Sequence, residues 1–359
     1  MKKMTKMERV KACLAGQPVD RPPFIAWGPH LNLEDRNTND FTKAVIAYED
    51  QHDFDILKVM QNGLYFAEDF GHVAAPPENS DDAGFKKTVI PAINSVQTMA
   101  NLTTRPITQG ALAREMENIR ILSEYYKDRV PVLATVFGPY RTFCHMSGYY
   151  GMEDRNVSLF GGNMIDFIKL HESEFFHTME VLTQQCIMNM RGFLQQGAAG
   201  FFFCTSGTYP MDPFTDDEYE KYIYPFDKQV LDAVMPDTMF MMHHICGDNI
   251  QHLEKMLTLP GHAVNWEDDS PMNPSIAQMR RLTDKVLMGG VDRHHDFYGA
   301  DREKVKQTIR AKVLQSMKEA GDTRFISAVG CESPREITHR FVVWHEVMDE
   351  IAQENCMVK

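Results

Sequence analysis

Several features that quickly place an unfamiliar chain are missing from these 359 residues. No apolar run approaches the roughly 18–20 residues needed to span a bilayer, which argues against a membrane protein. The opening Met1-Lys2-Lys3-Met4-Thr5-Lys6-Met7-Glu8-Arg9 is charged where a signal peptide has its apolar centre, so a cytoplasmic protein is expected. Positive charge is short, with 37 Lys and Arg against 50 Asp and Glu and a formal net charge of −13. A nucleic-acid binder needs a basic face to neutralise phosphates, and a site for a polyanion would need local arginines to override the global field. Cysteines number only seven, an odd count. A chain this long can bury its own core, so free thiols or metal thiolates are expected rather than a disulfide framework. Internal repeats and low-complexity tracts are also absent.

What is present is an ordinary globular composition, 43% hydrophobic and 24% charged. Short apolar runs recur at residues 22–27, 54–60, 130–137, 200–204, 238–246, 262–266, 285–290 and 323–331. Their β-branched and aromatic content, bounded by Gly, Pro or Asp, predicts buried parallel strands. Helical spacing alternates with them. Residues 216–234 follow a Thr215 N-cap, 301–320 carry acids in the first turn and end before Gly321, and 274–283 and 336–353 are also helical. Residues 164–196 form one bent helix or two.

Eight strands alternating with helices predict an α/β chain folded as a (β/α)8 TIM barrel. A doubly wound sheet would need a glycine-rich fingerprint after its first strand, and Trp27-Gly28-Pro29-His30 is not one. The stretch 61–129 is too long for a loop, so it is read as an insertion between strands 2 and 3 that includes a helix over 111–126. A single barrel domain over 1–359 with N-terminal helical decoration is expected.

Such barrels place their sites at the C-terminal strand ends. Those ends carry Trp27, Asn62, Tyr140, Cys204, His244 with Cys246, Trp266 with Asp268, Asp292 and Cys331. In His244-Ile245-Cys246 the strand period of two puts both potential ligands on one face, about 6.5–7 Å apart, within reach of one ion. Cys331, at the end of the eighth strand, is the natural third ligand. His with two thiolates suits Zn2+, and three protein ligands leave the open position of a catalytic site. Coincidental placement of free thiols is the alternative on the residues alone. Cys204 is either a fourth ligand or a small packing residue under the site. Trp27, Asn62, Tyr140, Cys204 and Trp266 are candidates for lining a substrate pocket, against ordinary packing. Asp292 is a candidate acid or an orienting partner of a zinc ligand, against a helix N-cap or a solvated loop acid.

Arg9-Val10-Lys11 through Gly16-Gln17-Pro18-Val19-Asp20-Arg21-Pro22-Pro23, Gly138-Pro139, His244-Ile245-Cys246-Gly247, Gly290-Val291-Asp292 and Gly330-Cys331 span most of the chain. On these segments the sequence resembles the uroporphyrinogen decarboxylase superfamily, and more narrowly its corrinoid-dependent zinc methyltransferase branch. The resemblance implies zinc on His244, Cys246 and Cys331. It also implies methyl transfer between a small methylated substrate or a thiol and the cobalt of a separate corrinoid protein. The chain lacks Asp-x-His-x-x-Gly, so cobalamin is expected on the partner. A true decarboxylase would carry an Arg-Gln-Ala-Gly-Arg loop after the first strand, where residues 28–37 offer two acids instead. Cobalamin-independent methionine synthases, which also use a His/Cys/Cys zinc barrel, are a third possibility.

Overall fold

The computed structural model describes residues 2–28, 31, 34–35, 37–75, 86–150, 164–207 and 214–357. Its centre is an eight-stranded parallel sheet made of β1 (Phe24–Ile25), β2 (Leu57–Lys58), β3 (Val132–Phe137), β4 (Gly200–Cys204), β5 (Phe240–Ile245), β6 (Ala263–Trp266), β7 (Val286–Val291) and β8 (Phe325–Val329). The strands run in the order β1-β8-β7-β6-β5-β4-β3-β2. Every residue of these eight strands is buried, as expected of parallel strands covered on both faces. The TIM-barrel expectation holds, and each strand falls inside one of the eight apolar runs except β7, which extends one residue past its run to Val291.

β1 and β2 complete the round without a ladder between them. The Asp55 amide donates to the Phe24 carbonyl at 3.1 Å, and the Phe24 amide donates back to the Asp55 carboxylate at 3.0 Å. That carboxylate also receives Arg9 at 2.7 Å and Arg21 at 2.5 Å, while Arg9 grips Asp20 at 2.7 and 2.8 Å. All four charged groups are buried. The opening segment of the family resemblance thus builds an ion network that ties the N-terminal helix Lys6–Leu14 to the seam of the barrel. Breaking such a pair strands an uncompensated charge, at a cost of about 3–5 kcal/mol.

The segment between β2 and β3 holds a short helix (Tyr65–Glu68), an antiparallel hairpin (Val73–Ala75 with Lys87–Ile90), and helices Val96–Ala100 and Gly110–Tyr126. Residues 164–195 form two helices, Met164–Leu170 and Glu172–Gln195. The helix expected over 216–234 is broken at Ile223, because Pro225 cannot continue the preceding turn. Among the described residues no helix is long and apolar enough to cross a membrane.

Candidate metal centre

Register decides which side chains face the barrel axis. Cys204 on β4 pairs with His244 on β5, and His244 pairs with Asn265 on β6. All three therefore share the inward face, and His243, Ile245 and Trp266 face the helices. His243 bonds the Pro260 carbonyl at 2.8 Å and the Trp266 indole N–H donates to the Pro274 carbonyl at 2.7 Å, both outside the barrel wall.

Cys246 lies one residue beyond β5 and Cys331 two beyond β8. Their sulfurs are 3.6 Å apart, and the Cys331 sulfur is 3.6 Å from His244 Nε2. The three ligand atoms lie within 4.8 Å of one another, and both cysteines are free thiols. A tetrahedral Zn2+ with bonds of about 2.3 Å to sulfur and 2.0–2.1 Å to nitrogen sets S···S at about 3.8 Å and S···N at about 3.5 Å. The residues therefore fit the ion in both donor chemistry and spacing.

Close packing at two glycines brings Cys331 into place. A Cβ on Gly330 would lie 2.8 Å from the Glu267 Cα, so only glycine lets the end of β8 approach the end of β6. A Cβ on Gly28, whose φ is +102°, would lie 2.9 Å from the Ser333 backbone, where the loop after Cys331 returns to bond the Trp27 carbonyl at 2.8 Å.

Asn265 was not singled out from the sequence. Its Oδ1 lies 2.6 Å from His244 Nδ1, and its Nδ2 donates to the carbonyls of Met288 at 3.1 Å and Val329 at 2.9 Å. Both amide protons are spent on carbonyls, so Oδ1 is the acceptor and Nδ1 of His244 carries the proton. Nε2 then turns its lone pair toward the sulfurs. A polar residue among the apolar residues of β6, in register with His244, was the available signal.

The two sulfurs face each other closely enough to share a proton. The Cys331 thiol, aided by His244, holds Cys246 well below the usual thiol range against the opposing effect of burial. The resulting Cys246 charge, with burial, pushes Cys331 well above it. Burial pushes Cys204 up to about 11, and it stands outside the three-residue cluster. The wall beside His244 is aromatic: the Phe202 ring lies 4.6 Å from the imidazole and the Trp27 ring 6.0 Å from it.

The remaining candidates lie elsewhere. Asp292 accepts from the His294 and His295 amides at 2.7 and 3.1 Å, binds His295 Nδ1 at 2.6 Å, and shares a hydrogen bond with the Asp269 carboxyl from the loop after β6. Asn62 accepts from the Leu64 amide at 3.1 Å and donates to Glu68, facing the insertion. Tyr140 is buried in the first turn of helix Pro139–Met146, edge-on to Phe214 at 5.4 Å. The loop after β1 read against a decarboxylase, residues 28–37, lies partly outside the described residues.

The uroporphyrinogen decarboxylase (URO-D) family model matches residues 5–342. The chain belongs to that family. It is 23% identical over 270 residues to the methylcobamide:CoM methyltransferase MtbA of Methanosarcina acetivorans, covering 71% of this chain and 74% of that protein. A solved methyltransferase from Methanosarcina mazei superposes with a TM-score of 0.75 at 15% identity, covering 97% of this chain and 99% of that one. A B12-independent methionine synthase from Shewanella sp. W3-18-1 gives 0.56 at 13% identity, over 90% of each chain. Both structures share the fold.

Proposed function

We propose that the protein is a zinc-dependent methyltransferase that moves a methyl group between a small methylated substrate or thiol and the cobalt of a separate corrinoid protein. The observation that carries this is the trio His244, Cys246 and Cys331, whose 3.6 Å spacings suit a tetrahedral ion with one position left for an incoming ligand. The likeness to a methylcobamide:CoM methyltransferase supports the corrinoid half of the assignment.

When bound, zinc supplies Lewis acidity, which keeps a thiol ionised at neutral pH or improves an oxygen leaving group. Asn265 holds the His244 proton on Nδ1 and so presents Nε2 as a donor. Trp27 and Phe202 wall the imidazole with apolar surface and restrict water at the reacting atoms. Cys204 stays protonated beneath and packs the floor. A decarboxylase of polycarboxylates is disfavoured because residues 28–37 place two acids where that substrate needs positive charge.

Protein purified without chelator is expected to hold about one zinc ion per chain and to lose it in Cys246→Ser and Cys331→Ser. It should catalyse methyl exchange with a methylated corrinoid protein, and the serine variants should not. A metal-free wild-type protein that binds a polycarboxylate would favour the decarboxylase instead.

A further inference from the structure

The barrel interior contains a cation that the metal trio does not explain. Lys58 sits on β2 with its side chain on the inward face, because its register partner Leu133 is in line with Gly200, two residues before inward-facing Phe202. The residue is buried. Its ammonium lies 4.4 Å from the Phe202 ring centre and 6.0 Å from that of Trp27, and its hydrogen-bond partner is the thioether of Met60. No carboxylate within ion-pairing distance answers it among the described residues. Those same two rings also flank His244, so Lys58 and the trio share one aromatic wall. Arg293, another cation near Cys331, is already committed to Glu267 at 3.1 Å.

A buried ammonium without a counter-ion is costly, and aromatic faces and a thioether repay only part of that cost. Burial lowers its pKa to about 8, while Cys204, Glu332 and Cys331 act to raise it. A divalent ion with two thiolates and a neutral imidazole carries no net charge, so an anionic fourth ligand makes the centre negative. Lys58 is buried and already feels Cys331 through space, so water screens it from that charge less than it would a surface cation.

We propose that Lys58 is the counter-charge for an anionic fourth ligand at the metal centre, so that the open position selects a ligand bound as thiolate over a neutral donor. This rests on the metal assignment above and adds the class of ligand the position takes. Lys58 is a positioning residue here, since it acts on the ligand through space and does not bind the metal.

Cobalt(II)-loaded protein tests it, with the visible d–d bands reporting entry of a fourth ligand. Two probes are titrated: 2-mercaptoethanol, which binds as thiolate, and imidazole, which binds neutral. Lys58→Met should weaken 2-mercaptoethanol by roughly ten-fold or more and leave imidazole within about two-fold, and Lys58→Arg should restore most of the difference. Lys58→Gln makes the same comparison if the Met variant does not fold. Equal affinity for 2-mercaptoethanol in wild type and variant would overturn the proposal, as would equal loss of both probes. Wild-type protein that takes up no cobalt would defeat the metal assignment itself. Protein that loads cobalt and binds imidazole without Lys58-dependent thiol affinity would defeat only the role of Lys58.

Discussion

Asn265 holds His244 by a 2.6 Å hydrogen bond from Nδ1 to its side-chain oxygen, and two main-chain carbonyls fix which way that amide faces. One residue thereby sets the tautomer and the ring plane of the metal-facing imidazole. Partners of this kind tune metal centres from outside the ligand set. Asn265→Leu should fold, since it replaces a buried amide with a side chain of similar size, yet lower zinc affinity by about 10–100-fold. Competition with a chromogenic chelator measures the loss. Unchanged affinity would mean that His244 is oriented by other contacts.

Gly330 is predicted to be as important to the metal as a ligand. Gly330→Ala forces the end of β8 away from the Glu267 backbone and carries Cys331 with it. Zinc content should fall, and cobalt-loaded protein should show weaker thiolate-to-metal charge transfer. Thermal unfolding followed in parallel separates loss of the site from loss of the fold.

Cys204→Ala is the contrasting variant. The thiol is buried, protonated and outside the trio. Zinc stoichiometry should stay at the wild-type value, with destabilisation of about 1 kcal/mol from the small cavity. Loss of zinc would promote Cys204 to a ligand.

Much of this was legible in the residues because buried parallel strands print as short apolar runs and helices as amphipathic ones. Strand parity alone puts His244 and Cys246 on one side of β5. The same parity, applied to β6, would have set Trp266 outside the barrel and Asn265 inside. A search by strand end alone passes over that distinction. Asp292 and Asn62 sit at or past strand ends too, but Asp292 is taken up by His294, His295 and Asp269 and Asn62 by Leu64 and Glu68, which no spacing rule reveals. Lys58 was hidden inside an apolar run, because which face of a two-residue strand looks inward depends on its partner's register. The hairpin Val73–Ala75 with Lys87–Ile90 left no alternating apolar pattern, being mostly exposed.

The seam between β1 and β2 carries a pH prediction. Burial works to raise the Asp20 pKa, but hydrogen bonds from Arg9 and the Met4 amide, with the charges of Arg9 and Arg21, outweigh it and leave the pKa lowered. A carboxylate depressed in the folded state stabilises at pH above its unfolded value, about 3.9, and that contribution is lost as pH falls through the folded value. Wild-type stability should therefore fall on acidification below about pH 4, and more shallowly in Asp20→Asn. Asp55→Asn, which weakens the hold on two buried arginines, should cost about 3–5 kcal/mol at neutral pH by chemical denaturation.

Zinc K-edge X-ray absorption on protein purified without chelator tests the central claim most directly. Two sulfur neighbours at about 2.3 Å, one imidazole nitrogen at about 2.0 Å and one exchangeable light ligand are the predicted shell. A protein without zinc, or a shell with fewer than two sulfurs, would contradict the assignment of His244, Cys246 and Cys331.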